Sequence, residues 1–222
     1  MKTAFILAAG RGERLKPLTL TKPKALTTIQ GKPVIAYHLA RLAQAKFERV
    51  VINHAYLGDQ LRQYIGCGQK WGLDVHYSPE PPGGLETGGG IWQALPLLGP
   101  KPFIVINADI YIDYPFEHLT LPTASLAHLI LGSPARYKAP PSFGLNDLGQ
   151  VNNNKQLAYL GVAAFHPKAF DKLNMGRFSV VPLWRELAAH QQLTGQLYHG
   201  AWHDIGTIET LARAQKLVPA CL

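Results

Sequence analysis

The chain opens with a short apolar run, Thr3 to Leu7, that passes directly into a loop of small and cationic residues. Such a run before a glycine-containing loop is typical of a buried strand in an α/β fold. Gly10 and Gly12 carry no Cβ, so the backbone can approach a ligand closely. The cations of this segment are Arg11, Arg14, Lys16, Lys22 and Lys24. Together these features predict a loop that binds phosphate groups.

The loop differs from two well-known phosphate-binding motifs. The dinucleotide fingerprint Gly-x-Gly-x-x-Gly fails at its third glycine, where this chain has Leu15. The P-loop requires Gly-Lys-Ser/Thr, but Gly31-Lys32 is followed by Pro33. What remains is Gly-x-Gly-x-Arg, followed by Lys22-Pro23-Lys24-Ala25-Leu26.

Strand and helix patterns alternate along the chain, which predicts a mixed, mainly parallel sheet flanked by helices. The predicted strands cover 3–7, 49–53, 74–78, 103–107, 127–131, 159–165 and 201–204. The predicted helices cover 34–45, 58–65, 88–98, 168–173, 181–190 and 208–216. A Pro/Gly/Asn-rich stretch from 132 to 154 predicts a hairpin or a mobile loop. Ligands of such folds bind at the carboxyl ends of the strands.

Two acids follow short apolar strands at distant positions in the chain. Asp109 ends the segment Val105–Asp109, and Asp204 lies within Trp202–Thr207. A lone aspartate after a strand is commonly a turn or cap residue. Mg²⁺, however, is usually held by one or two carboxylates together with substrate phosphates. Beside a nucleotide site, we therefore predict that Asp109 and Asp204 bind Mg²⁺.

Three successive glycines, residues 88–90, open one of the predicted helices. Each glycine destabilises a helix by about 1 kcal/mol relative to alanine. This loss is best tolerated where the backbone must contact a ligand. We expect a base or a sugar to lie there. The alternative is a flexible loop with an accidental glycine run.

Composition limits the partners. The chain has 222 residues, of which 47% are hydrophobic and 16% charged, so it can bury a sizeable core. A net charge of +8 favours anionic partners. The cations concentrate between 11 and 24 without any nucleic-acid recognition signature, so we expect no nucleic-acid partner. No apolar run reaches membrane-spanning length, and Cys67 and Cys221 form no metal-spaced pair, so we predict a cytoplasmic protein with no membrane partner.

These segments together resemble the sugar-phosphate nucleotidyltransferase family over nearly the whole chain. The resemblance rests on Ala-Ala-Gly-x-Gly-Glu-Arg from residue 8, and on Val51–Ala55, Tyr77–Glu80, Leu85–Gly90 and Trp202–Thr207. Within the family they are most similar to the branch that acts on N-acetylmuramic acid 1-phosphate. Glu13 favours this branch, since the wider family commonly has Thr or Ser there.

The resemblance implies a single domain over 1–222 with the Rossmann-like nucleotidyltransferase fold. Residues 1–110 would mainly bind the nucleotide, and 111–222 would mainly bind the sugar phosphate through a small β subregion. The implied reaction is Mg²⁺-dependent uridylyl transfer from UTP to a sugar 1-phosphate in peptidoglycan recycling, without an obligate protein partner. One alternative is another hexose 1-phosphate nucleotidyltransferase, in particular a GTP-dependent mannose 1-phosphate enzyme, because a carboxylate such as Glu80 could accept from two guanine N–H groups. The other is a nucleotide-sugar sensor without turnover.

The resemblance also implies roles for individual residues. The nucleotide would contact Ala8, Ala9, Gly10, Gly12, Glu13, Arg14, Lys24, Glu80, Gly88 and Asn107. The sugar phosphate would contact Gly89, Ser142, Asn154 and Gly161. Arg14, Lys24 and Asp109 would be catalytic. Ser142 departs from the family pattern, which tends to place an Asp before the Phe at this point.

Overall fold

The computed structural model describes residues 1–218, so the sequence interpretation of Cys221 lies outside it. The strands are β1 (Thr3–Leu7), β2 (Thr28–Ile29), β3 (Lys32–Pro33), β4 (Arg49–His54), β5 (Asp74–Pro79), β6 (Phe103–Asn107), β7 (Ile110–Ile112), β8 (Ala127–Gly132), β9 (Phe143–Leu145), β10 (Val151–Phe165), β11 (Leu193–Leu197) and β12 (Trp202–Asp204). The α-helices are α1 (Val34–Gln44), α2 (Gly58–Ile65), α3 (Glu86–Leu98), α4 (Pro134–Tyr137), α5 (Val181–Ala189) and α6 (Ile208–Leu217).

A central sheet of eight strands organises the fold, in the order β11-β8-β10-β6-β1-β4-β5, with β9 paired to β10. Strands β6, β1, β4 and β5 are parallel neighbours, and β11 is parallel to β8. Strand β10 runs antiparallel to both β6 and β8. The predicted α/β fold with a mixed, mainly parallel sheet is confirmed.

The apolar strands are buried because helices cover both faces of the sheet. Successive strand residues point to opposite faces. In β1, Ala4 and Ile6 pack in one core with α1 and α2 residues, whereas Phe5 packs in the other core with α3 and α5 residues. This explains why the central strands appear in the sequence as continuous apolar runs rather than alternating ones.

Two predicted elements differ from the structure in type or start, and one strand was not predicted. The helix predicted over 168–173 is a single 3₁₀ turn, Pro167–Phe170, whose backbone bonds join residues three apart. Helix α3 begins at Glu86, before the first glycine of the run. Strand β11 was not predicted, because Thr194, Gly195 and Gln196 interrupt its apolar pattern, yet it pairs with β8. The hairpin predicted within 132–154 is confirmed by the antiparallel pairing of β9 with β10.

The two predicted halves of the chain share one sheet, because β6 pairs with β10. A second, two-stranded sheet joins β7 to β12 and so connects the same halves again. Within residues 1–218, no helix combines the length and apolar character needed to cross a membrane.

Candidate active site

A cavity of about 300 Å³ opens at the carboxyl ends of β1, β4 and β6, where ligands of such sheets bind. We call it the cleft. Its lining residues are Leu7, Ala9, Gly10, Arg11, Asn53, Glu80, Gly83, Gly84, Glu86, Thr87, Asn107 and Asp109. The cleft therefore contains Ala9, Gly10, Glu80, Asn107 and Asp109 of the residues predicted from the sequence.

The loop after β1 is shaped by Gly12, which adopts a left-handed conformation with φ of 69°. A Cβ at this position would lie 2.9 Å from the Thr19 Cγ2 atom, and the Gly12 carbonyl accepts a hydrogen bond from Thr19 Oγ1 at 2.8 Å. Gly12 thus allows residues 8–16 to fold back on the following segment. Only glycine combines this backbone angle with so little space.

Glu13 interacts with the loop's own cations. Its carboxylate pairs with Lys16 and lies 3.3 Å from the Arg11 Nε atom. The hydrogen bond from Lys16 lowers the pKa of Glu13, and Arg11 acts in the same direction. Glu13 is exposed and is not among the residues that line the cleft. A contact between Glu13 and the nucleotide remains a prediction.

The two predicted metal-binding acids come together through the pairing of β7 with β12. Asp204 pairs with Ile110 across the two strands. Ile110 follows Asp109 directly in the chain, so the pairing brings the two acids close together. The Ile205 amide donates to the Asp109 carbonyl at 2.8 Å, which ties the two segments together. Lys24 donates a hydrogen bond from Nζ to Asp109 Oδ2. Acids from distant parts of the sequence thus lie beside one lysine.

The pKa of Asp204 responds to the charges of its neighbours in this cluster. Burial raises the pKa of Asp204, and the negative charge of Asp109 raises it further. Lys24 and Arg14 oppose this effect. Gly206 provides the necessary space, since a Cβ there would lie 2.8 Å from both Arg14 Nη2 and Asp204 Oδ2. The structure therefore brings together the residues predicted to be catalytic or metal-binding, and their roles remain predictions.

The glycine run at the start of α3 contacts protein. The Gly88 and Gly89 amides both donate to the Phe178 carbonyl, at 2.9 and 3.1 Å. A Cβ on Gly88 would lie 2.4 Å from the Phe178 ring, and one on Gly89 would lie 2.1 Å from the Gly176 carbonyl oxygen. Both amides are therefore engaged by a protein carbonyl, and a contact of Gly88 or Gly89 with a base or a sugar remains a prediction. The alternative of a flexible loop is wrong, since the glycines lie within a helix.

Asn53 is a cleft residue that the sequence analysis did not select. It is 2% exposed, and its Oδ1 accepts from the Ala8 amide at 2.6 Å. The Ala8 amide is therefore engaged inside the protein. Glu80 accepts from Asn53 Nδ2 and from the Leu85 amide. A polar amide at the carboxyl end of the buried strand β4 was the available signal, because that sheet edge collects ligand-binding residues.

Comparison with known proteins identifies the family. Residues 3–220 match the nucleotidyl transferase family. The chain belongs to this family. It is 43% identical to the N-acetylmuramate alpha-1-phosphate uridylyltransferase of Neisseria meningitidis serogroup B, over 98% of each chain. The enzyme of the same name from Caulobacter vibrioides is 34% identical over 92% of each chain.

The structural comparison agrees with the family. The fold superposes on a UDP-glucose pyrophosphorylase complexed with UDP-glucose with a TM-score of 0.79, at 20% identity and with 97% of each chain covered. At this identity the likeness shows the fold alone. The predicted family, the similarity to N-acetylmuramate alpha-1-phosphate uridylyltransferases and the Rossmann-like nucleotidyltransferase fold are confirmed.

For a nucleotidyltransferase, the acid pair is a suitable ligand set for Mg²⁺. No group of three or more His, Cys, Asp or Glu side chains within residues 1–218 could hold a metal ion. Two neighbouring carboxylates nevertheless suit Mg²⁺, which takes its other ligands from phosphates and water. Asp109 and Asp204 meet this requirement, because burial and the charge of Asp109 raise the pKa of Asp204, and a bound divalent cation would favour its ionised form.

The residues predicted to contact the sugar lie in two places. Gly161, with φ of 79°, lies beside the cleft, since a Cβ there would be 3.2 Å from the Asn107 Cβ. Ser142 precedes β9, and its amide donates to the Leu157 carbonyl at 2.7 Å. Asn154 is exposed on β10 of the same hairpin. Neither Ser142 nor Asn154 lines the cleft, so their contact with sugar remains a prediction.

Proposed function

We propose that the protein transfers the uridylyl group of UTP to N-acetylmuramic acid 1-phosphate with Mg²⁺ as cofactor, giving the UDP-sugar and pyrophosphate. The proposal places this reaction in the cytoplasm and in peptidoglycan recycling. The observation that carries it is the cluster of Lys24, Asp109 and Asp204 beside a cationic glycine loop. The choice of UTP and of the sugar is supported by the 43% identity to the meningococcal uridylyltransferase.

The reaction is an in-line displacement at phosphorus. An oxygen of the sugar 1-phosphate attacks the α-phosphorus of UTP and forms a new P–O bond. The bond from the α-phosphorus to the oxygen that bridges to the β-phosphate breaks, and pyrophosphate leaves with that electron pair. No general base is needed, because the second pKa of a phosphate monoester is about 6, and the nucleophile is largely ionised at neutral pH.

The main obstacle to this reaction is repulsion between two anions, so catalysis requires positioning and neutralisation of charge. Lys24 and Arg14 supply positive charge beside the acids. Asp109 and Asp204 would hold Mg²⁺, which supplies further neutralisation of the phosphates when bound. In the structure Lys24 pairs with Asp109. This pair keeps the ammonium group at the site before the substrate phosphates arrive.

The environment of Glu80 supports UTP over GTP. The argument for guanine depends on a carboxylate that accepts from two N–H groups of the base. Each oxygen of Glu80 already accepts a hydrogen bond from the protein, at 2.6 and 2.7 Å. Guanine would require each of these oxygens to accept a second hydrogen bond, whereas uracil offers a single N–H donor.

A pyrophosphate-release assay tests the proposal. The purified protein is incubated with Mg²⁺ and with each pair formed from a panel of sugar 1-phosphates and UTP, GTP, CTP or dTTP. We expect turnover with UTP and N-acetylmuramic acid 1-phosphate, and loss of turnover when Mg²⁺ is chelated. Preference for GTP and mannose 1-phosphate would overturn the substrate assignment and retain the fold. Nucleotide-sugar binding without pyrophosphate release from any pair would indicate a sensor.

A further inference from the structure

A continuous chain of hydrogen bonds crosses one side of the cleft. The Ala8 amide donates to Asn53 Oδ1, and Asn53 Nδ2 donates to Glu80 Oε1, with a donor–acceptor distance of 2.6 Å in both bonds. The other carboxylate oxygen, Glu80 Oε2, accepts from the Leu85 amide at 2.7 Å. We call this arrangement the Asn53–Glu80 link. It connects the start of the phosphate loop with the residue that precedes α3.

The link has a defined direction of donors and acceptors. Asn53 must turn its carbonyl oxygen to the Ala8 N–H and its NH₂ group to the carboxylate, because the opposite orientation would place two donors together. Glu80 must accept at both oxygens. No ion pair involves Glu80 in the described part of the chain, so neutral N–H groups hold its charge. The two bonds therefore fix the orientation of the Glu80 carboxylate.

Close packing of α3 reinforces the link. A Cβ on Gly90 would lie 2.5 Å from Glu80 Oε1 and 2.8 Å from Asn53 Nδ2. The third glycine of the run is therefore required so that the helix can approach the two side chains. Asn53 itself is 2% exposed, so it has little freedom to turn elsewhere.

Both ends of the link border the cleft. Ala9 and Gly10 follow Ala8 and line it on one side, and Gly84 and Glu86 flank Leu85 and line it on the other. The link thus sets the separation between the two loops that must receive the nucleotide. Any change that breaks one of its bonds leaves a donor or an acceptor unpaired in a confined space.

We propose that Asn53 and Glu80 are positioning residues that hold the phosphate loop and the 81–85 loop at the spacing needed for nucleotide binding, and that Glu80 does not select the base. The proposal rests on the proposed function, because it concerns the nucleotide site of that reaction. It assigns Glu80 a role different from the base contact expected from the sequence.

The two side chains permit a reciprocal exchange that tests the link directly. In Glu80→Gln, the new NH₂ group faces either Asn53 Nδ2 or the Leu85 amide, so two donors meet. In Asn53→Asp, two carboxylates face each other.

The double variant N53D/E80Q restores every bond of the link. The carboxylate introduced at position 53 accepts from the Ala8 amide and from the NH₂ group introduced at position 80. The oxygen that remains on the side chain at position 80 accepts from the Leu85 amide. Glu186→Gln, an exposed change on α5, is the matched control.

We expect each single variant to lose about tenfold or more in kcat/KM for UTP, mainly through KM, because one partly buried hydrogen bond is replaced by a repulsive contact. The double variant should recover most of this loss, and the UTP to GTP ratio should stay constant throughout. Asn53→Asp should also recover activity as the pH is lowered, since the facing carboxyls can then share a proton. Glu186→Gln should match the wild type.

The outcomes distinguish a failure of the proposal about the link from a failure of the proposed function. The wild type is first assayed with the nucleotide and sugar panel, and the best nucleotide found there is used for all variants, with its Kd as a second measurement. If the double variant stays as defective as Glu80→Gln, or if the base preference changes, the carboxylate itself is required and the proposal is wrong.

If wild-type turnover requires GTP instead of UTP, the proposed function fails while the exchange experiment still decides the role of the link. Thermal unfolding of every variant identifies a loss that reflects misfolding, and single variants that lose stability but keep wild-type kcat/KM and Kd would overturn the proposal.

Discussion

The two sides of the cleft are built in opposite ways. On one side, Asp109 lines the cleft, and its charge adds to burial in raising the pKa of Asp204, which lies nearby but is not a lining residue. On the other side, the Asn53–Glu80 link pairs each donor with an acceptor inside the protein. On the first side, the ionised form of Asp204 is disfavoured and a bound cation would stabilise it, whereas on the second side every donor of the link already has an acceptor. We infer that one side performs chemistry and the other maintains shape.

The strongest test of this comparison removes a charge from the first side. Lys24→Ala and Asp109→Asn should each lower kcat by about a hundredfold or more, because the first removes a cation that stabilises developing negative charge and the second removes a proposed Mg²⁺ ligand. Lys101→Ala, an exposed lysine near the amino-terminal end of β6, is the control and should leave kcat unchanged. Steady-state pyrophosphate release measures the effect, and thermal unfolding confirms the fold. Turnover close to wild type in either variant would contradict the assigned roles.

Asp204→Asn should separate activity from stability. The folded-state pKa of Asp204 lies above its usual value, so the folded protein binds this proton more tightly than the unfolded chain. Above that pKa the ionised carboxylate therefore destabilises the fold. We expect the variant to lose turnover yet melt at a higher temperature than the wild type at neutral pH without Mg²⁺.

Exposed Asp147→Asn is the control for this effect and should change neither property. Mg²⁺ should raise the melting temperature of the wild type more than that of Asp204→Asn. A lower melting temperature in the variant would contradict the raised pKa of Asp204.

A buried histidine next to the charged side of the cleft should make the stability of the protein depend on pH. His38 is fully buried on α1, and burial, followed by the charge of Arg41, lowers its pKa to about 4. The Ile110 backbone and Asp109 only partly offset this, and neither ring nitrogen makes a well-formed hydrogen bond within the described chain. Because the unfolded value is 6.5, stability should fall as the pH drops from there toward about 4.

The free energy of unfolding should fall by about 3 kcal/mol over this pH range, because of the size of the difference between the folded and unfolded pKa values of His38. Urea unfolding at a series of pH values measures it. His38→Leu should flatten the profile over the same range, whereas His190→Leu, at an exposed position, should not. Identical profiles for the wild type and His38→Leu would rule out this source of acid sensitivity.

The smallest expected effect concerns the shape of the second side. Alanine normally stabilises a helix relative to glycine, but Gly89→Ala should lower the free energy of unfolding by about 1–3 kcal/mol, since the added Cβ overlaps a carbonyl oxygen. That oxygen belongs to Gly176 and lies 2.1 Å from the Cβ position. Gly176→Ala is the control, because its added Cβ meets nothing within 4 Å. Equal stability of the two variants would show that the glycine run is not required for packing.

Much of the fold could be predicted because its signals are local. The strands β1, β4 and β6 are continuous apolar runs, and burial on both faces requires such runs. Strand β11 was missed for the converse reason, since its polar residues and Gly195 carry no such pattern and only pairing with β8 holds it as a strand. The 3₁₀ turn at Pro167–Phe170 lies in a segment whose helical pattern was too short to distinguish the two helix types.

The sequence by itself determined the α/β class, the cationic glycine loop and the identity of the two acids, because spacing and residue type along a short segment are sufficient for these. Only the tertiary structure decided that Asp109 meets Asp204 through β7 and β12, and that Glu80 is held by Asn53. It also decided that Gly88 and Gly89 contact Phe178 and Gly176. The physical reason is that hydrogen bonds and ion pairs act over a few ångströms, and the path of the chain decides which distant residues come that close.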